Sequence, residues 1–424
     1  MIRFEKVVIL GAGESGVSAA SLAKRENKDV FVSDFGEIKD QYKTDLKNNN
    51  IPFEEKGHDF DKILDADLIV KSPGISDHVE VIQKARALKL QVVSEIEFAS
   101  WFNSSKLIAV TGSNGKTTTV SLIYHVLKEL NQSAALCGNI GPSFARSILE
   151  DGNVDYRVLE VSSFQLDNVK FFKPDIGILL NVTADHLDRY NYSMVNYAKA
   201  KLNLFNNMDH DDLAILNRQD ELTTSLFSNK DVNIQWVNSE TIDYVKSNLL
   251  GVHNQFNIAC AIAALTSLGF NKEKVIKTIA SFAPVKHRLE QVAEINSIVF
   301  INDSKATNVD SVKFALDGID EKIIWIAGGV DKGNDYGLIK SLVLEKVKTI
   351  ICLTTDDSKL RSAFEKDLNM VTFTDTDKAV KYAFDHAEKD DVVLLSPACA
   401  SFDLFNNYEH RGELFSKAVL NLMN

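Results

Sequence analysis

Short apolar runs alternate with amphipathic stretches along almost the whole chain. The runs are four to six residues long, end in glycine or small polar residues, and are too brief for helices. They read as strands buried on both faces, and the stretches between them, with apolar positions three and four apart, read as helices. Strands are expected at 6–10, 30–33, 67–70 and 91–93, then at 106–110, 134–137, 156–161 and 175–180. A third set falls at Ile298–Asn302, Ile323–Ala327, 347–352, 370–373 and 391–395. Strand–helix alternation of this kind predicts an α/β protein with mostly parallel sheets. The breaks divide it into three domains: a Rossmann-like domain at 1–94, a central P-loop domain at 95–285, and a Rossmann-like domain at 286–424. Residues 284–289 form the second linker.

Composition narrows the class. A chain of 424 residues has room for two or three domains. At 45% hydrophobic and 25% charged it can build ordinary cores. A formal charge of −12 argues against a nucleic-acid partner, though not against a small phosphorylated substrate held by a few local cations. Cys137, Cys260, Cys352 and Cys399 lie far apart and read as reduced thiols of a cytoplasmic protein. The first ten residues are too mixed for a signal peptide, and no run is long enough to insert in a membrane.

The sharpest chemical signal follows the strand at 106–110. Thr-Gly-Ser-Asn-Gly-Lys-Thr at 111–117 opens a helix near Lys116. Such a turn aims backbone N–H groups and the positive end of a helix at an anion. Gly112, Ser113, Asn114, Gly115, Lys116, Thr117 and Thr118 are therefore the expected ATP cradle. Lys116 would reach the β- and γ-phosphates and Thr117 would bind Mg²⁺. Glu160, at the end of the strand 156–161, stands where a further Mg²⁺ ligand is expected, and Ser162-Ser163 reads as a helix N-cap. A second glycine turn, Gly11-Ala-Gly-Glu-Ser-Gly16, follows the first strand and precedes Asp34 by about twenty residues, the dinucleotide pattern. A pyrophosphate would lie over 13–16, with Asp34 and Gly74 at its rim.

Other clusters are weaker alone. Asn-Val-Thr-Ala-Asp-His-Leu-Asp-Arg-Tyr at 181–190 places His186 among polar groups at a strand end, which favours a metal or phosphate contact. On the expected helix 194–207, Lys201 falls among Tyr197, Leu204 and Phe205. A snorkelling lysine is the ordinary explanation. Burial, however, favours a neutral amine, which can add CO₂ to become a carbamate able to bind Mg²⁺. His253, Asn254 and Asn257 crowd the first turn of an apolar helix opening at Gly251, suited to anion or purine contact. Residues 220–247 are polar and uninformative.

Taken together, the segments at 111–117, 159–166 and 181–190, His253-Asn254, His287-Arg288, Asn-Asp-Ser-Lys-Ala-Thr-Asn at 302–308 and Ser-Pro-Ala-Cys-Ala-Ser at 396–401 resemble the Mur ligases. These are ATP-dependent amino-acid-adding enzymes of peptidoglycan synthesis, and the likeness covers nearly the whole chain. It implies a monomeric cytoplasmic ligase that joins D-glutamate to UDP-N-acetylmuramoyl-L-alanine through an acyl phosphate. Glu14, Ser15, Asp34 and Gly74 become contacts to UDP, and Asn139 to the sugar-peptide or its phosphate. The likeness also favours a carbamylated Lys201, paired with His186 on a second Mg²⁺, while Thr117 and Glu160 hold the first. Asn257 would read adenine, with Asp303 and Arg288 beside the ribose and phosphates. Thr307, Lys332, Ser401 and Tyr408 would hold D-glutamate, Tyr408 standing where phenylalanine is the commoner residue.

Rival readings remain. An NAD-dependent oxidoreductase built on the first glycine turn leaves the 112–118 loop and Glu160 without a task. A switch ATPase would turn over nucleotide with no small substrate. Another Mur-type ligase, or a folylpolyglutamate synthase, is a rival within the family.

Overall fold

The computed structural model describes residues 4–229, 231–238, 244–249, 252–283 and 285–423. Gly251 and Pro284 fall outside these residues, and the helix expected to open at Gly251 runs Val252–Ser267. The chain forms two compact units: Met1–Val182 with Val195–Ile242 and Asn257–Ile279, and Thr183–Met194 with Asp243–Phe256 and Ala280–Asn424.

The first unit contains two wholly parallel sheets. One comprises β1 (Lys6–Leu10), β2 (Asp29–Ser33), β3 (Phe53–Glu54), β4 (Leu68–Lys71) and β5 (Gln91–Ser94), in the order β3-β2-β1-β4-β5. The other comprises β6 (Lys106–Thr111), β7 (Ala134–Gly138), β8 (Tyr156–Glu160), β9 (Ile176–Leu179), β10 (Leu213–Asn217) and β11 (Asn233–Val237), in the order β11-β10-β9-β6-β8-β7. Strand order reverses beside β1 and β6, so the loops leaving each are splayed from their neighbours and open a crevice.

The second unit contains β12 (Glu290–Ile295), β13 (Ile298–Asn302), β14 (Ile323–Ala327), β15 (Val347–Leu353), β16 (Asn369–Phe373) and β17 (Val392–Leu395), ordered β12-β13-β17-β14-β15-β16. All pairs are parallel except the edge hairpin β12–β13. In β14, Ile323, Trp325 and Ala327 enter one core and Ile324 and Ile326 the other. That explains the unbroken apolar run, since a strand covered on both faces has no polar side to alternate with.

Some expectations are corrected here. The helix expected at 194–207 ends at Leu202 and tightens into a 3₁₀ turn, Asn203–Phe205. The stretch passed over as polar carries β11, a strand exposed along most of its length. β12 was not expected at all; its alternation is blurred by the bulge between Gln291 and Ala293.

Two buried glutamates on the helix Glu95–Ser100 show how local partners decide the state of a charge. Glu97 accepts from the successive N–H groups of Lys170, Phe171 and Phe172 and from the Trp101 indole, which satisfy its carboxylate. Glu95 accepts only from the Ala145 N–H, and its second oxygen has no partner. Burial pushes the Glu95 carboxyl up to about 8; the Ala145 bond opposes this, and the charge of Glu14 adds to it. A carboxyl raised above its unfolded value holds its proton longer in the native state. Stability is therefore full below the unfolded value, near pH 4.5, and declines as pH rises towards about 8. Glu95→Gln should remove that decline: urea midpoints at pH 5 and pH 8 should converge for the variant and diverge for the parent. Equal divergence in both proteins would contradict the assignment.

Candidate functional site

Register alone brings the phosphate-loop residues together. β6 lies between β8 and β9, pairing Val110 with Glu160 and Thr111 with Leu179, while β7 pairs Gly138 with Glu160. The ends of these parallel strands therefore place the 112–115 loop, Glu160, Asn139 and Asn181 along one edge. Gly115 adopts φ +85° as it enters the helix Lys116–Glu129, and a Cβ there would lie 2.5 Å from the Asn257 amide oxygen. Both facts require glycine. On the loop's other flank, Asn181 accepts from the Asn114 N–H at 2.9 Å and donates to the Asn114 carbonyl at 3.1 Å. The Ser113 N–H donates to the Asn181 carbonyl. Sequence reasoning gave Asn181 no role, although it opens a motif already singled out.

Glu160 is 1% exposed. The Thr117 hydroxyl donates to one of its oxygens at 2.8 Å and the Asn139 amide to the other at 2.9 Å. Both donors are neutral, and a buried carboxylate so placed is costly without a cation. A hydroxyl and a carboxylate at one point also form a hard oxygen donor set of the kind Mg²⁺ takes. The residues present fit that ion. Lys116 folds back to donate to the carbonyls of Gly112 and Ser113, each at 2.8 Å.

Lys201 does not snorkel: it is 1% exposed. Its amine lies 4.3 Å from the centre of the Tyr197 ring and donates to the Gly112 carbonyl at 2.8 Å. Lys116, Thr117, Glu160 and Lys201 thus converge on a single loop, with Ser113 and Thr118 buried beside them.

At the first sheet, Asp34 accepts from the Ala12 N–H at 2.6 Å and the Gly36 N–H at 2.8 Å, fixing the glycine turn. A Cβ on Gly16 would lie 1.8 Å from the Gly11 carbonyl oxygen. Glu14 accepts from Arg146 at 3.1 Å and from the Ser143 N–H at 3.0 Å, tying the two sheets of this unit together. Ser15 is partly exposed, and Gly74 is exposed with open space about it.

In the second unit, Asp185 accepts from Lys332 at 2.8 Å and Asn308 at 3.1 Å. His186, in left-handed backbone at φ +51°, has its ring nitrogen 3.7 Å from the same carboxylate. Burial works to raise the Asp185 carboxyl, but His186, Lys332 and the Asn308 bond outweigh it and hold it below the usual carboxylate range. Asp303 accepts from Ser396 at 2.8 Å, and burial pushes it up to about 7 against that bond and the charge of Arg288. The Arg288 Nε is buried without a hydrogen-bond partner. Tyr408 accepts from Lys305 at 2.9 Å, a neighbour the sequence reading passed over. Thr307 is half-buried and Ser401 buried. The His253 ring packs 4.8 Å from that of Phe314, and burial, helped by Arg288, lowers it to about 4.

Comparison with known proteins agrees with this geometry. Residues 6–81 match the MurD N-terminal domain, 110–241 the Mur ligase middle domain, and 287–399 the Mur ligase glutamate ligase domain. The UDP-N-acetylmuramoylalanine–D-glutamate ligase of Christiangramia forsetii is 45% identical, over 99% of this chain and 100% of its own. That of Cytophaga hutchinsonii is 44% identical, over 99% of each. Among solved structures, the UDP-N-acetylmuramate-alanine ligase MurC of Thermotoga maritima superposes with a TM-score of 0.62 at 21% identity, over 99% of this chain and 100% of its own. MurF ligase from the same organism, in complex with ADP, gives 0.65 at 16%, over 93% and 95%. Whole-length likeness to the two ligases, with matches to all three Mur domains, places this chain in the Mur ligase family.

Proposed function

We propose that this protein is an ATP-dependent ligase that joins D-glutamate to UDP-N-acetylmuramoyl-L-alanine, as a cytoplasmic monomer serving peptidoglycan synthesis. Residues 1–94 bind the UDP substrate, 95–285 bind ATP, and 286–424 bind the amino acid. The observation that carries the reading is the buried Glu160 held between Thr117 and Asn139 at the mouth of a phosphate loop. It is supported by the relatives named above, which carry that activity in their names and match along their full length. No helix among the described residues is long and apolar enough to cross a membrane.

The acceptor's carboxylate attacks the γ-phosphorus of ATP, the bond to the β-phosphate oxygen breaks, and ADP leaves an acyl phosphate. The free amine of D-glutamate then adds to the acyl carbon. The tetrahedral intermediate collapses, inorganic phosphate departs and the nitrogen gives up a proton. Both steps concentrate negative charge on phosphoryl and carbonyl oxygens, so fixed donors and cations do most of the work. Loop N–H groups from Gly112 to Thr118 cradle the phosphates, and Lys116 swings from the loop carbonyls onto the transferring group. Thr117 and Glu160 would hold Mg²⁺, which when bound would supply further charge neutralisation; His186 and Lys201, the latter as a carbamate, are the residues assigned to a second ion. The burial of Lys201 beside Gly112 supports the carbamate, because an added carboxylate there would face the phosphate loop. Asn257 reads adenine, with Asp303 and Arg288 at the ribose and phosphates. Glu14, Ser15, Asp34 and Gly74 contact UDP, Asn139 the acceptor, and Thr307, Lys332, Ser401 and Tyr408 the carboxylates of D-glutamate.

With the UDP-linked acceptor, ATP and Mg²⁺, ADP release should respond to D-glutamate within a panel of D- and L-amino acids. Lys116→Ala should slow it by about 10²–10³-fold. Turnover indifferent to every amino acid would favour a switch ATPase. Lys201→Ala should lose activity on a similar scale of about 10²-fold or more, with partial recovery on adding short carboxylic acids. Full activity in that variant would remove the carbamate from the mechanism.

A further inference from the structure

Arg411 is among the largest fully buried side chains, at 1% exposure. It sits in the first turn of the helix Tyr408–Asn421. All its hydrogen bonds go to neutral oxygens. Nε donates to the Ser304 hydroxyl at 2.9 Å and one terminal nitrogen to the Ser304 carbonyl at 2.7 Å. The other terminal nitrogen donates to the carbonyls of Cys399 at 3.1 Å and Gly328 at 3.4 Å. Among the described residues no carboxylate lies in hydrogen-bond reach of it, and those of Asp403 and Asp303 act on it only from further off, so a cation buried here is expensive to keep for stability alone. What the planar fork offers here is geometry, since its N–H groups lie in one plane at fixed angles.

Those acceptors sit on three different loops. Ser304 is on the loop after β13, Gly328 on the loop after β14, and Cys399 on the loop after β17. β17 lies between β13 and β14, pairing Leu395 with both Asn302 and Ile326, so the three loops leave one sheet edge side by side. They carry, in turn, Thr307, Lys332 and Ser401, while Tyr408 opens the helix that bears Arg411 itself. Lighter contacts join the same loops: the Ala398 N–H donates to the Ala306 carbonyl, and Val330 and Ala400 exchange backbone hydrogen bonds. The helix is locked in turn, because Asn302 donates to the Gly412 carbonyl, and a Cβ on Gly412 would lie 2.3 Å from His287 Nδ1.

We infer that Arg411 is a positioning residue for the amino-acid subsite, setting the spacing of the three loops that hold the incoming amino acid without touching it. The inference rests on the functional reading above and deepens it. Strand ends fix where each loop begins and backbone bonds join the loops in pairs, while the Arg411 fork is bonded to all three at once.

The test is Arg411→Lys, which keeps the charge and loses the fork, with Ser304→Ala as a milder variant that removes one acceptor and the hydroxyl's own bond to the Tyr408 carbonyl. Full steady-state kinetics are measured for ATP, the UDP-linked acceptor and D-glutamate. Arg411→Lys should raise the KM for D-glutamate on the order of 10-fold or more, the scale of losing one or two hydrogen bonds to a charged group. The KM values for ATP and acceptor should stay within about twofold, which a general loss of folded protein would not produce. Ser304→Ala should shift the same constant in the same direction by less, and it decides the matter if Arg411→Lys does not fold. An unchanged KM for D-glutamate, or an equal change in all three, overturns the inference while leaving the functional reading intact. A parent protein that ignores D-glutamate overturns both.

Discussion

A carboxylate enclosed by uncharged donors is the constraint to which the phosphate loop is built. Among the described residues the hydrogen-bond partners of Glu160 are a hydroxyl and an amide and no cation, so a cation bound to it would offset the cost of its burial. Everything near it keeps that arrangement in place. Strand register sets Glu160 beside the loop, Asn181 bonds to the loop, Asn257 lies where a side chain on Gly115 would have to go, and Gly115 turns the chain into its helix. Two lysines, Lys116 and Lys201, meet at the Gly112 carbonyl. Both amines are therefore held on the loop's own backbone.

The second unit applies the same principle with different parts. Its parallel strands end together, and the loops that leave them carry the polar groups while backbone pairing and the Arg411 fork hold them in register. Asp185 binds Lys332 and Asn308 there, a carboxylate lying where a lysine and an amide converge. The edge strand β12 closes one side of the sheet, and the loop after its partner β13 supplies Asn308.

Much of this was written locally in the chain. The run before Gly112, the Gly-Lys-Thr triplet and the helix after it identified the phosphate loop, since strand, turn and helix signals each need only a few neighbouring residues. Glu160 was visible because it ends an apolar run, and the Ser162-Ser163 N-cap because capping is a short-range pattern, to which the structure adds Gln165 as reciprocal partner. What was illegible depends on distant partners. β11 has a mostly solvated face and lacks an apolar period, and the bulge in β12 hides its alternation. Lys201 looks amphipathic in sequence, and its amine is buried against the Tyr197 ring and bonded to the Gly112 carbonyl, 89 residues away. Glu95 and Glu97 look equivalent, yet one meets several donors some 75 residues away and the other meets almost none. Arg411 reads as a surface helix charge until the 107-residue separation to Ser304 is closed.

The most direct measurement is calorimetric titration of ADP into the parent and Glu160→Gln proteins, with and without Mg²⁺. Because the substitution keeps the shape and hydrogen-bonding capacity of Glu160 but removes its charge, both proteins should bind ADP alike without the ion. Mg²⁺ should then tighten binding in the parent and do so little, or not at all, in the variant. An equal Mg²⁺ enhancement in both would contradict the account, because the ion would then owe nothing to the buried carboxylate around which the loop is arranged.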